Sequence, residues 1–163
     1  MERLEILVDG QLDSTSDLPD GFPDDDPDDL DIYLWRYCHD HNRRILLRIG
    51  SEQLEVELDP DIRIILLNLP KEVRKLEAGN KRSLSFSERG FDLYLTPDGD
   101  TIGCSVHRWG AEGGEPSFLC DRMQVIGELW HFLGGIAREA LIGNYLTRDQ
   151  ALTFLGDKFP GDI

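Results

Sequence analysis

Short stretches in which apolar and polar residues alternate recur along the chain and predict β-strands. These stretches are 3–8, 44–49, 53–58, 83–87, 91–96 and 101–107. In the first, Leu4, Ile6 and Val8 share one face, as in a half-buried strand. The second and third flank Gly50-Ser51 and predict a β-hairpin. The last three are separated by turn sequences and predict a meander.

Residues 30–37 fit both periods. Leu30, Ile32 and Leu34 alternate with polar or aromatic residues, whereas Leu30, Leu34 and Tyr37 would share a helical face. Because aromatic residues favour β-structure, we interpret this segment as a strand, with a helix as the alternative.

The middle of the chain has apolar residues at helical spacing. The helix is predicted to begin at Asp59-Pro60 and to end at Gly79-Asn80. Its apolar positions are Ile62, Ile65, Leu66, Leu69, Val73 and Leu76. Pro70 interrupts the pattern, and an interior proline costs roughly 3 kcal/mol, so we expect a kink or two short helices.

Two helices are predicted near the C-terminus. Asp121 and Gln124 have the capping-box spacing and open a long helix that ends at Gly143-Asn144. Its predicted buried face consists of Val125, Ile126, Leu129, Trp130, Leu133, Ala137, Ala140 and Leu141. Thr147 and Gln150 repeat the capping spacing and predict a short last helix.

These elements predict an α+β fold. We expect a mostly antiparallel sheet of hairpin and meander strands, with the kinked middle helix and the C-terminal helices packed on one face. A length of 163 residues with 40% apolar composition is typical of one globular domain, 1–163.

Composition adds a segment that the periodicities do not describe. Ten aspartates fall within residues 9–31, which contain no Lys, Arg, His or Glu, so this segment supplies ten of the fifteen excess negative charges. Three prolines and two glycines accompany them. Such a segment lacks the apolar surface that would offset the entropy of ordering, and we expect a mobile acidic loop.

The charge also excludes classes of partner. A net charge of -15 and a pI near 4.5 argue against direct binding to nucleic acid or to an anionic membrane, both of which need a positive surface. The N-terminus is charged before an apolar stretch reaches signal-peptide length. Cys38, Cys104 and Cys120 are odd in number and widely spaced, which favours free thiols. We therefore expect a soluble, cytoplasmic protein.

Candidate catalytic and metal-binding residues form no recognised motif. Cys38, His39 and His41 match no zinc spacing, and Glu128-x-x-His131 is a single copy of a motif that di-iron bundles repeat. The glycine-rich residues 110–114 lack the lysine and the hydroxyl residue of a phosphate-binding loop. We predict no catalytic residues, no metal site and no cofactor.

The function predicted from these features is that of a small acidic cytosolic protein that neutralises or escorts a basic protein partner. In general character it resembles bacterial immunity proteins, which mask toxins, although no diagnostic motif carries the likeness. The predicted contact residues are Asp24, Asp25, Asp26, Asp28, Asp29 and Trp109.

Two alternatives remain open at this point. One is a subunit or adaptor of a larger assembly. The other is an enzyme whose site is assembled only in three dimensions, from residues such as His39, His41, His107, Asp98 or Glu128.

Overall fold

Two antiparallel sheets and five α-helices make up residues 1–9 and 29–159, the part of the chain that the computed structural model describes. The strands are β1 (Leu4–Val8), β2 (Arg44–Ile49), β3 (Glu52–Glu57), β4 (Arg82–Phe86), β5 (Phe91–Asp98), β6 (Thr101–Arg108) and β7 (Ser117–Asp121). The helices are α1 (Leu30–Asp40), α2 (Arg63–Leu66), α3 (Leu69–Glu77), α4 (Arg122–Ile142) and α5 (Arg148–Leu155). The predicted α+β class is confirmed.

The hairpin and the meander belong to different sheets. The orders are β1-β2-β3 and β4-β5-β6-β7, all neighbours being antiparallel. Strand β7 was not predicted, because only Cys120 among its five residues is buried and no clear alternation marks it. Its Phe118 packs against Gly50 in the β2–β3 turn, where an added Cβ would lie 2.5 Å from the ring.

Residues 30–37 are helical, so the predicted strand is wrong. The Asp29 side chain accepts a hydrogen bond from the Ile32 amide (3.4 Å) at the start of α1. Leu34, Tyr37 and Cys38 are buried, at the three- and four-residue spacing of one helical face. Burial of this stripe outweighs the small preference of aromatic residues for strands.

The predicted break in the middle helix is confirmed. A π-helical turn at Leu58–Ile62 precedes α2, and α3 follows as a separate helix. Pro70 lies in the first turn of α3, where its missing N–H leaves no helical bond unmade. Asp59 is not the predicted amide-accepting cap. It has extended backbone angles, and its carboxylate accepts from Arg63 Nε (2.7 Å).

The helices and both sheets share one core. Leu4 and Leu47 from the first sheet, Leu84 and Leu93 from the second, and Leu129 from α4 are all buried in it. On α4, Ile126, Trp130 and Leu141 are only partly buried, so the predicted face is shifted there. Two residues that the prediction omitted, Phe132 and Ile136, are buried instead.

The two sheets meet at the start of β1. Glu2 forms an isolated parallel bridge with Cys120, and the Glu2 amide donates to the Leu119 carbonyl (3.0 Å). The chain then turns from β7 into α4 at Asp121. As a result, α4 continues alongside β1 where another strand would otherwise lie. No helix in residues 1–9 and 29–159 has the length and apolarity needed to cross a membrane.

Candidate functional site

Strand β1 lies at the edge of its sheet, so one side of its backbone has no neighbouring strand among the described residues. The Asp9 amide donates to Arg44 O of β2 (3.0 Å). Because successive amides of a strand point to opposite sides, Leu4, Ile6 and Val8 direct their N–H and C=O groups away from β2. These three residues therefore present the outer edge of the sheet.

Side chains of α4 occupy the first half of that edge. Gln124 Oε1 accepts from the Leu4 amide (3.0 Å), and its Nε2 donates to the Leu4 carbonyl (2.6 Å). Glu128 Oε1 accepts from the Ile6 amide (2.9 Å). Four helical residues rise about 6.0 Å and two strand residues about 6.6 to 6.8 Å, so these pairs stay in step.

Gln124 therefore completes only half of the predicted capping box. The Asp121 carboxylate accepts from the Gln124 amide (2.9 Å), as the spacing predicts. The Gln124 side chain, which was expected to return to the cap, extends to Leu4 instead. The side-chain amide of Gln124 therefore pairs with the sheet edge and not with the helix cap.

The pairing ends at Val8. The next helical position in the same series is Phe132, whose apolar side chain is only 8% exposed and can neither donate nor accept a hydrogen bond. Val8 itself is 44% exposed. Among the residues that the structure describes, none pairs with the outward N–H and C=O groups of Val8.

A groove of about 290 Å³ opens at this point between β1 and α4. Its floor is apolar and consists of Ile6, Val8, Ile45, Leu58, Phe132 and Ile136. Its polar lining consists of Tyr37, Arg43, Glu128, His131 and Glu139. The groove therefore combines apolar surface, unpaired backbone groups and charge, the usual ingredients of a binding site.

Three of the polar residues form a closed network. Arg43 Nη1 donates to Glu139 Oε1 (3.1 Å), while Arg43 Nη2 and the Tyr37 hydroxyl both donate to Glu139 Oε2. Burial alone would raise the pKa of Glu139, but these hydrogen bonds and the nearby positive charge lower it. Burial, followed by the Glu139 contact, raises the pKa of Tyr37. Glu139 is therefore held ionised and Tyr37 neutral.

An aromatic cluster supports this network from behind. The Tyr37 ring stacks on His41 at 5.3 Å, and Tyr145 meets both rings edge-on at 5.8 and 5.4 Å. The Tyr145 hydroxyl donates to Asp40 Oδ2 (2.6 Å). Burial and this contact raise the pKa of Tyr145 to about 12. These contacts fix the orientation of Tyr37 at the groove.

Glu128 has one carboxylate oxygen that the described residues leave without a donor. Its Oε1 accepts from Ile6, and no residue of the described part of the chain donates to its Oε2. Glu139, in contrast, has both oxygens engaged. With two carboxylates and one guanidinium in its lining, the groove has an acidic balance, and Glu128 is its available acceptor.

The predicted contact residues lie in different places. Asp24, Asp25, Asp26 and Asp28 lie outside the described residues. Asp29 caps α1. The remaining residue of that set, Trp109, is 50% exposed and donates its indole N–H to Asp92 Oδ2 (3.0 Å), but it does not line the groove.

The residues suggested for an enzyme are only partly brought together: Glu128 lines the groove and His41 stacks on Tyr37 behind it, whereas His39 and His107 lie elsewhere. His39 contacts Asp59 (3.4 Å), and His107 contacts Glu115 (2.5 Å) beside a separate depression. Of the five residues suggested for an enzyme, Glu128 alone lines the groove in the part of the chain that is described. Within the same residues, no three His, Cys, Asp or Glu side chains are grouped as a metal site would require.

All three cysteines are buried free thiols, as predicted. Burial raises the pKa of Cys38, Cys104 and Cys120, so each remains a protonated thiol at neutral pH. None of them lines the groove.

The groove was not predicted from the sequence. The only signal was that Gln124 and Glu128, four residues apart on α4, border a strongly apolar face. Comparison with known proteins adds no precedent: no family model, no curated protein and no solved structure matches this chain.

Proposed function

We propose that this protein binds a basic protein partner, using the acidic segment 9–31 together with the groove beside β1. The observation that carries this proposal is the distribution of ion pairs. Eight arginines of the folded body contact carboxylates of the same chain within 4.0 Å: Arg43, Arg44, Arg48, Arg63, Arg74, Arg82, Arg89 and Arg108.

Because these arginines are paired within the body, they are less available to neutralise the acidic segment. The body neutralises much of its own positive charge, whereas residues 9–31 carry ten aspartates and no basic residue, and one of these aspartates, Asp9, contacts Arg44 at 4.0 Å. A partner with a positive surface would supply the missing charge and would be attracted over distances of about 8 to 10 Å at physiological salt. Charge complementarity of this kind raises association rates in particular.

The position of the segment's ends supports a joint surface. Asp9 follows Val8, which lines the groove, and Asp29 precedes α1, which contributes Tyr37 to it. A partner attracted by the aspartates would therefore arrive beside a groove with an apolar floor. The enzyme alternative gains less support: Glu128 lines the groove and His41 stacks behind it on Tyr37, but His39 and His107 lie in separate contacts.

The experiment compares wild type with a five-site variant in which Asp24, Asp25, Asp26, Asp28 and Asp29 are replaced by Asn. Asn caps helices about as well as Asp, so the start of α1 should be retained. A charge-matched control neutralises five exposed carboxylates elsewhere: Glu88, Asp98, Asp100, Glu112 and Asp149.

Tagged protein is used to capture partners from the cells that produce it, and the association rate of the purified pair is then measured against ionic strength. We expect a captured protein of basic pI whose association slows at least tenfold at low salt in the five-site variant only. The difference should nearly vanish near 1 M salt, where the screening length is about 3 Å. Equal rates for all three proteins at every salt concentration would refute the proposal.

A further inference from the structure

The outward backbone groups of Val8, which have no partner in the described ranges, have the geometry needed to pair with an antiparallel strand. The N–H and C=O groups of Val8 point to the same side, as do those of Leu4, with which the Gln124 side chain forms hydrogen bonds. In an antiparallel ladder, one residue placed opposite would exchange two hydrogen bonds with Val8. Within the described part of the chain, the groove therefore offers a main-chain site that no other residue fills.

The size and floor of the groove limit what can occupy it. About 290 Å³ lies just below the range of roughly 300 to 1,000 Å³ usual for small-molecule pockets. A residue paired with Val8 directs its side chain to the same face as the Val8 side chain, toward the floor that includes Phe132 and Ile136. The space suits one large aliphatic side chain and its backbone.

The charge of Glu128 determines which residue types are favoured next to the aliphatic residue of a bound segment. Side chains on one face of a strand recur every two residues, and Glu128 lies at the level of Ile6, two residues from Val8. Because Glu128 already fills the edge opposite Ile6, the added strand ends near Val8 on that side, and the long side chain of a Lys or Arg two residues from the aliphatic one would reach the available Oε2 of Glu128. An acidic side chain at that position would be repelled.

We infer that the groove binds an extended segment of the basic partner by strand addition to Val8. An aliphatic residue pairs with Val8 and fills the groove, and a cationic residue two positions away contacts Glu128. This inference rests on the proposed function and adds to it the surface and the binding mode, in which main-chain bonds give affinity and side chains give specificity.

The probe is the synthetic peptide acetyl-Lys-Ser-Leu-Ser-Lys-amide, which places Leu and both Lys side chains on one face. A second peptide carries N-methyl-Leu, which removes the amide that would donate to the Val8 carbonyl. A third replaces both Lys residues with Glu. Binding to the full chain is followed by NMR titration of backbone amides at low salt.

Protein variants test the same contacts from the other side. Val8→Pro removes the outward N–H at an edge position where proline is tolerated, and Val8→Ala is the matched control that retains it. Glu128→Gln removes the charge but keeps an oxygen for the Ile6 amide. Glu112→Gln is its control on an exposed loop outside the groove.

We expect the Lys peptide to shift the amides of Ile6, Val8 and Ile136. N-methylation and Val8→Pro should each weaken binding up to about tenfold, and Val8→Ala much less. Glu128→Gln should weaken it about two- to fivefold, whereas Glu112→Gln should have no effect. The Glu peptide should bind more weakly than the Lys peptide.

Three results would overturn the inference. N-methyl peptide binding as tight as that of the parent would exclude main-chain pairing, and equal binding of the Glu peptide would exclude the charge contact. Absence of shifts around Val8 would exclude the groove. If the captured partner still depended on the five aspartates, the proposed function would stand without this docking mode, and the two failures are thereby distinguished.

Discussion

The two halves of β1 meet α4 differently. At Leu4 and Ile6, polar helix side chains take the place of a neighbouring strand and pair with the exposed backbone. At Val8, two residues further on, the helix presents Phe132, and the outward backbone groups have no partner among residues 1–9 and 29–159. The same strand is thus closed at one end and open at the other.

This difference shows how a helix can protect a sheet edge and where that protection ends. Unpaired strand edges are prone to pairing with other chains, and proteins usually cover or charge them. Here the cover requires a polar residue at every fourth helical position. A single apolar residue in that series, Phe132, ends the cover and leaves a groove, because its side chain packs in the core.

The largest expected effect comes from the packing that holds α4 beside the closed half. Leu129, adjacent to Glu128, is buried against the core. Leu129→Ala should lower the free energy of unfolding by roughly 2 to 5 kcal/mol, through lost burial and a residual cavity. Thermal or denaturant unfolding measures it, with Met123→Ala as the control, because Met123 is 84% exposed. An unchanged melting temperature would show that Leu129 does not stabilise the core.

Removing the hydrogen bonds between Gln124 and Leu4 should lower the free energy of unfolding by less than the Leu129 substitution does. Gln124→Ala leaves the N–H and C=O of Leu4 without partners on the outer edge, which should destabilise the protein by about 1 to 3 kcal/mol. Amide hydrogen exchange sharpens the comparison: protection at Leu4 should fall, while Val8, already unpaired, should exchange at its wild-type rate. Unaltered protection of Leu4 would contradict the pairing with Gln124.

The hydrogen bond between Tyr37 and Glu139, at the groove, predicts a smaller effect on stability that depends on pH. Tyr37→Phe removes the hydrogen bond to Glu139 and should cost about 0.5 to 1.5 kcal/mol at neutral pH. The fold raises the pKa of Tyr37 above its usual 10.0, so this contribution is complete below pH 10. Above pH 10, Tyr37 ionises in the unfolded chain before it ionises in the folded protein. The unfolded state is thereby favoured, and the free energy of unfolding of the wild type falls.

The phenylalanine variant lacks that ionisation. The stability gap between wild type and Tyr37→Phe should therefore narrow as the pH rises from 9 to 11, in urea unfolding curves measured at each pH. A gap that is constant over this range would contradict the neutral, hydrogen-bonded state of Tyr37.

The smallest expected effect concerns the acidic segment that follows the open half. Neutralising Asp24, Asp25, Asp26, Asp28 and Asp29 to Asn should change the free energy of unfolding by less than about 0.5 kcal/mol, or raise it slightly by relieving repulsion. Urea unfolding at low salt checks this. A loss above about 1 kcal/mol would show that these aspartates support the fold, and would weaken their assignment to partner binding.

Local patterns in the sequence determined much of the fold. The alternation around Leu4, Ile6 and Val8 predicted β1, the β2–β3 turn at Gly50 was placed correctly, and the capping residue Thr147 marked the start of α5. These three predictions are correct because such features depend on hydrogen bonding and side-chain periodicity within a few residues. The charge of residues 9–31 is likewise a property of the sequence alone.

Tertiary structure decided the rest. Residues 30–37 carry both periods, and burial of Leu34 and Tyr37 selected the helix. The groove depends on Val8 and Phe132, which are 124 positions apart, and on a helix rise that nearly matches the strand rise. Gln124 had a local partner at the helix cap and took a distant one at Leu4. Competition between local and distant partners depends on spatial proximity, which a single sequence does not contain.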